Sequence, residues 1–215
     1  MQIAELVVCC ADVGSIARGN FGWARRDPAA GAVEEHRGGE EIIGLATTVK
    51  DDLQRDRPVA LGFECPLFVP VPEEPLALGR ARKGDGNRAW SASPGTGALA
   101  TGVVQAAWLL TDIANTVPSV HATFDWPTFS RAGHGLFLWE AFVTGAAKRD
   151  THVNDARAAV DAFVDALPEP FERNALDETR VLSLIGAAAI WSGLARDIGL
   201  LGAPCLVLRA ADPTG

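Results

Sequence analysis

Several signatures that would name a chemistry are missing from this chain. It has no G-x-S-x-G elbow and no G-x-x-x-x-G-K-[ST] loop, which argues against a serine hydrolase of that type and a P-loop nucleotidase. The four cysteines, Cys9, Cys10, Cys65 and Cys205, never fall at C-x-x-C spacing, so neither a zinc knuckle nor a disulfide framework is expected. They read as small buried apolar side chains. Positive charge is short: 19 Lys and Arg stand against 27 Asp and Glu, for a net charge of -8. Such a field gives no general pull toward nucleic acid or an anionic membrane, and any nucleic-acid contact must be local or metal-assisted. The start, MQIAELVVCC, lacks a basic n-region, and no apolar run approaches the ~20 residues of a membrane span, so a cytosolic protein is expected. His36, His121, His134 and His152 are scattered without ligand-like spacing, and surface or satisfied histidines are expected at all but His134.

What the chain does have is apolar content, 48% of 215 residues, enough for one domain over residues 1–215. AELVVCCADV is a continuous apolar run with the pattern of a central strand covered on both faces. GNFGWARR and AAGAVEEHR, joined through DPAAG, read as two antiparallel strands completing a β-meander. GGEEIIGLATTVKDDLQRD shifts to helical spacing, with Ile42, Leu45, Ala46, Val49 and Leu53 on one face. PVALGFECPL is a further buried strand. Residues 66–97 are rich in proline, glycine and basic side chains and predict a functional or mobile loop. ALATGVVQAAWLLTDIANTV predicts a helix, GHGLFLWEAFVTG a strand, HVNDARAAVDAFVDAL and LDETRVLSLIGAAAIWSGLARDIG two helices, and APCLVLRA a last short strand. The expected architecture is α/β: a mixed sheet, meander first and then alternating helices and strands, with helices on both faces. Trp108, Trp139 and Trp191 lie in apolar runs and are expected in the core.

Three acids fall at strand ends in this scheme: Asp12, Glu64 and Glu140. Strand ends converge at one rim of an α/β sheet, where ligands bind. Carboxylates gathered there repel one another unless a cation such as Mg²⁺ or Mn²⁺ offsets their charge, and two such ions can activate water and stabilise a leaving oxygen in phosphodiester hydrolysis. Each acid taken singly also fits an ordinary strand cap. After Asp12, Gly14, Ser15, Gly19 and Gly22 would let a phosphate approach the backbone, with Ser15 donating to it, or would simply form a tight hairpin. GRARKGDGNRAW gathers Arg80, Arg82, Lys83 and Arg88, a candidate phosphate clamp beside the acids, with Trp90 as a candidate base-stacking group. His134, in RAGHGLF, is a candidate base or phosphate contact.

ADVGS on the first strand and GFECPLFVP on the fourth, in this order of elements, resemble the RNase H-like superfamily. The chain is most similar to a bacterial and archaeal family of predicted RNase H-like nucleases, over nearly its whole length. The resemblance implies Asp12, Glu64 and Glu140 as ligands of Mg²⁺ or Mn²⁺ in a nuclease. It departs from the pattern in the last helix, where active members carry a further Asp in a D-A-L-like stretch. VLSLIGAAAIWSG offers Ser183 instead, with Asp177 and Glu178 upstream as substitutes. Two functions follow: a metal-dependent nuclease, or a catalytically degenerate member that binds nucleic acid or protein. A phosphate-binding DVGS hairpin of the actin and sugar-kinase type is a third, disfavoured because that architecture needs two such domains.

Overall fold

Val7–Asp12 (β1) is apolar up to its last residue and is buried throughout, as expected of a strand at the centre of a sheet. A computed structural model describes residues 5–28, 36–85, 89–92 and 94–212, and His36 by its backbone only. Gly22–Arg26 (β2) and His36–Gly39 (β3) complete the antiparallel meander. Ile42–Gln54 (α1) then crosses to Val59–Phe63 (β4), which lies parallel to β1. Phe68–Pro70 (β5), Pro94–Thr116 (α2), Ala122–Thr123 (β6), Trp126–Ala132 (α3) and Leu136–Phe142 (β7) follow. His152–Asp165 (α4), Val181–Ser183 (β8), Leu184–Trp191 (α5) and Leu206–Arg209 (β9) end the order. The main sheet runs β3-β2-β1-β4-β7, with β6 and β9 both parallel to β7 on its far edge. The fold is thus mixed α/β.

Alternation along the strands divides the interior into two cores. Val7, Cys9 and Ala11 of β1, with Leu61 and Phe63 of β4 and Leu136 and Leu138 of β7, face α1, α2 and α5. Val8 and Cys10, with Ala60, Phe137, Trp139 and Ala141, face the other way, toward α3 and α4. Trp139 lies flat across β4 at Gly62, where a Cβ would come within 2.3 Å of the indole. All four cysteines are buried and free.

Several expectations need correction. Residues 66–97 contain β5, a 3-10 turn at Pro75–Ala77 and the start of α2. LDETRVLSLIG does not begin a helix: Val181–Ser183 pairs antiparallel with β5, and Ser183 Oγ then caps α5 by accepting from Gly186 N at 3.2 Å. A serine that favours N-caps over helix interiors ends the strand and starts the helix in one residue. Trp139 is fully buried, but Trp108 and Trp191 are 45% and 73% exposed, beside an apolar groove between α2 and α5. Among the described residues α2 is long and apolar enough to cross a bilayer, contrary to expectation; Leu109, Leu110 and Ile113 on its inner face pack in the core.

Candidate functional site

Register and parity bring two of the three predicted acids together. Ala11 pairs with Phe63, and the ladder continues as Glu64 N donates to Ala11 O at 2.7 Å. Both pairing residues face the α1 core, so Asp12 and Glu64, one position later on neighbouring strands, turn together to the α4 face. Glu140 cannot join them. It pairs with Phe63, shares the face of Leu136 and Leu138, and points into the opposite core. The residue of β7 beside Glu64 on the site face is Ala141.

The place expected for Glu140 is taken by the first turn of α4. Asp12 pairs with Gly22, and a Cβ on Gly22 would lie 2.4 Å from the backbone of His152 and Val153. That glycine lets the helix start sit directly on the sheet. Thr151 caps the helix by accepting from Asn154 N at 3.1 Å, and His152 and Asp155, three residues apart, share the face toward Asp12. His152 Nδ1 lies 2.6 Å from Asp12 Oδ2; an ionised Asp12 has no proton to give, so Nδ1 donates, and Nε2 is the ring nitrogen not engaged by Asp12. Carboxylate or imidazole atoms of Asp12, His152 and Asp155 all lie within 4.8 Å of one another, a spacing that suits one metal ion.

Lys148, in the loop between β7 and α4, completes the cluster. Its Nζ donates to Asp155 Oδ2 at 2.8 Å and to Glu64 Oε2 at 3.0 Å, and lies 3.8 Å from Asp12 Oδ2. Arg149 N donates to Asp155 Oδ1 at 2.6 Å. Burial raises the pKa of Asp12, against the lowering effects of a hydrogen bond from Glu64 and the charge of Lys148. Glu64 is pushed well above the usual carboxylate range by burial and by Asp12, with Lys148 opposing. Burial would lower Lys148, but Glu64, Asp12 and Asp155 outweigh it and hold the ammonium charged. The cluster forms one wall of a cleft of about 250 Å³, whose other walls include Val13, Pro66, Ala98 and Thr144.

Glu140 meets the basic loop inside the protein. Arg82 Nη1 and Nη2 donate to Glu140 Oε2 and Oε1 at 2.7 and 2.8 Å, Leu67 N donates to Oε2 at 2.9 Å, and Arg82 Nε donates to Asp85 Oδ1 at 3.0 Å. Arg82 is 2% exposed and also lies over the Phe68 ring, 4.9 Å from its centroid. Burial raises the pKa of Glu140 while Arg82 opposes it. Arg80 is committed as well, through both Nη atoms to Glu178 at 2.7 Å, and Lys83 N adds a third bond to Glu178 at 2.7 Å. These two arginines staple the loop and are not free to clamp a phosphate. Lys83 keeps an exposed ammonium, 3.5 Å from Asp177. Trp90 donates its Nε1 hydrogen to Arg80 O at 2.9 Å. Arg88 lies outside the described residues.

Five other candidates fall away from the cluster. Ser15 is exposed, its carbonyl accepting from Arg18 N and Asn20 N at 3.0 Å, with no cap bond from its hydroxyl. His134 precedes β7, at the opposite end of that strand from the cluster, and its Nδ1 lies 3.0 Å from Ala132 O. Ser183, Asp177 and Glu178 supply no ligand beside Asp12 and Glu64. The residues that reasoning from sequence missed are Lys148, His152 and Asp155. Their trace was HVND at a helix start, two ligand-type side chains on one face. No family model, curated protein or solved structure matches the chain.

Proposed function

We propose that the chain is a divalent-cation-dependent phosphodiesterase of RNase H-like architecture that cuts nucleic acid at the Asp12 cluster. One observation carries this reading: Asp12, Glu64 and Asp155 come from three separate elements to one rim of the sheet, where burial raises the pKa of Asp12 and Glu64. Natural folds keep such an arrangement when a cation is to be held. The donor set, carboxylate oxygens with one imidazole, suits Mg²⁺ or Mn²⁺. The meander followed by alternating helices and strands supports the reading, and Asp155-Ala156 in α4 would supply the helical acid that Ser183 does not.

Asp12, Asp155, His152 and Glu64 are the residues that would hold the ion. When bound, a divalent cation activates a water and neutralises charge on the scissile phosphate. Asp12 orients the His152 ring through Nδ1 and leaves Nε2 free to ligate or to take a proton. Lys148 presents a fixed positive charge to an incoming phosphate, and the apolar side of the cleft limits water around it. Among the described residues of the loop, phosphate contact falls to Lys83, because Arg80 and Arg82 are spent on Glu178 and Glu140. The free, buried cysteines fit a reducing compartment such as the cytosol.

A binding-only descendant is the second reading. Lys148 is the observation in its favour, since an ammonium among the acids does part of a metal's neutralising. Purified protein incubated with Mn²⁺ and a panel of single-stranded, hybrid and branched nucleic acids separates the two. The nuclease reading expects cleavage by wild type that Asp12→Asn abolishes; equal behaviour of the two proteins across the panel rejects it.

A further inference from the structure

We propose that the Lys148 ammonium takes the place of a second metal ion, so that this cluster holds one divalent cation and not two. The inference rests on the metal-dependent reading above and deepens it. Deprotonated to act as ligands, Asp12, Glu64 and Asp155 would bring three negative charges, and Lys148 leaves two to be matched, which is the charge of a single Mg²⁺ or Mn²⁺. Two ions together with the ammonium would overfill the same three carboxylates.

Position agrees with charge. Paired ions in two-metal sites sit about 3.5–4 Å apart, each bridged by carboxylates. Nζ already bridges Asp155 and Glu64 at 2.8 and 3.0 Å and lies 3.8 Å from Asp12. Asp12, His152 and Asp155 form the compact ligand group, so Asp155 is shared between that group and the ammonium as a carboxylate is shared between paired ions. A second ion would have to expel the ammonium.

Lys148 is built into this place. It closes the 3-10 turn Gly145–Ala147, whose Ala147 is buried, and the next residue binds Asp155 through its backbone N–H at 2.6 Å. The backbone is thus pinned on both sides, and the side chain is 32% exposed. A lysine serving only solubility would need neither constraint. Unlike an ion, this charge cannot be removed by a chelator and does not exchange with solvent.

The test is the stoichiometry of Mn²⁺ itself, without substrate. Calorimetric titration of metal-stripped protein should find one saturable Mn²⁺ per chain in wild type and in Lys148→Arg, and two in Lys148→Met. Paramagnetic resonance of loaded wild type should show an isolated ion with no spin-coupled pair, a readout that stands even if Lys148→Met does not fold. Two ions in wild type, or a single ion in a folded Lys148→Met, overturns the inference and leaves the nuclease reading intact. No saturable uptake by wild type overturns both.

Discussion

Two groups of buried acids stand at the same end of one sheet, on its opposite faces, and they are built in opposite ways. On the α1 face every oxygen of Glu140 meets a fixed N–H donor, from Arg82 or from Leu67, and the pair is sealed from solvent. On the α4 face three carboxylates share one ammonium, one imidazole and the Arg149 backbone N–H, beside an open cleft. The first group is satisfied and holds a loop in place. The second is left short of positive charge, and its Asp12, His152 and Asp155 could hold a cation. A buried acid is informative through what balances it, and burial or strand position alone does not separate a staple from a site.

The two groups should therefore respond to substitution with opposite signs. Arg82→Met leaves Glu140 buried and unpaired and should destabilise the fold by about 3–5 kcal/mol in urea titration, while adding Glu140→Leu should recover part of the loss. If the double variant is no better than Arg82→Met alone, the pair is not the staple described. Asp12→Asn should cost activity about 10²-fold or more, yet raise stability slightly at neutral pH. The sign follows from its raised pKa: such a group favours the fold below its unfolded pKa, and that contribution is lost as pH rises through the folded value. The gain over wild type should shrink on acidification, and a loss of stability at neutral pH would contradict it.

Much of the scaffold was legible in the sequence. β4, and β1 up to Asp12, are uninterrupted apolar runs, β7 is broken only by Glu140, and α1 and α4 show clear helical spacing. β5 and β8 were hidden because each is three residues long and gains its identity only from the other. Asp12 and Glu64 could be placed at strand ends, but the face of Glu140 depends on the register between parallel strands, which no local pattern encodes. The basic loop misled for a related reason. Arg82 and Arg80 find their acids 58 and 98 positions away, so their neutralisation is invisible to a local charge count. His152 and Asp155 shared a helix face in plain view, but only Gly22 decides that this face rests on Asp12.

That dependence gives a third way to sharpen the contrast. Gly22→Ala should push the start of α4 off the sheet, costing about 1–3 kcal/mol and weakening Mn²⁺ uptake, with the Arg82–Glu140 group unaffected. Wild-type Mn²⁺ affinity in this variant would show that the helix start does not build the site. The smallest effect belongs to Glu178→Gln, which removes the partner of Arg80. Arg80 holds Glu178 below the usual carboxylate range, so its contribution is present above the unfolded pKa of about 4.3 and fades as pH falls through the folded value. The variant should lose about 1 kcal/mol or less near neutral pH and nothing in strong acid. A deficit that persists unchanged in acid would mean the ion pair is not its cause.

The central claim is that Asp12, Glu64, His152 and Asp155 together form a cation site, and a crystal soaked in Mn²⁺ tests it most directly. An anomalous difference peak among Asp12, His152 and Asp155, absent from Asp12→Asn crystals, is the result expected. Full soaking with no peak there, or a peak that survives Asp12→Asn, would contradict it.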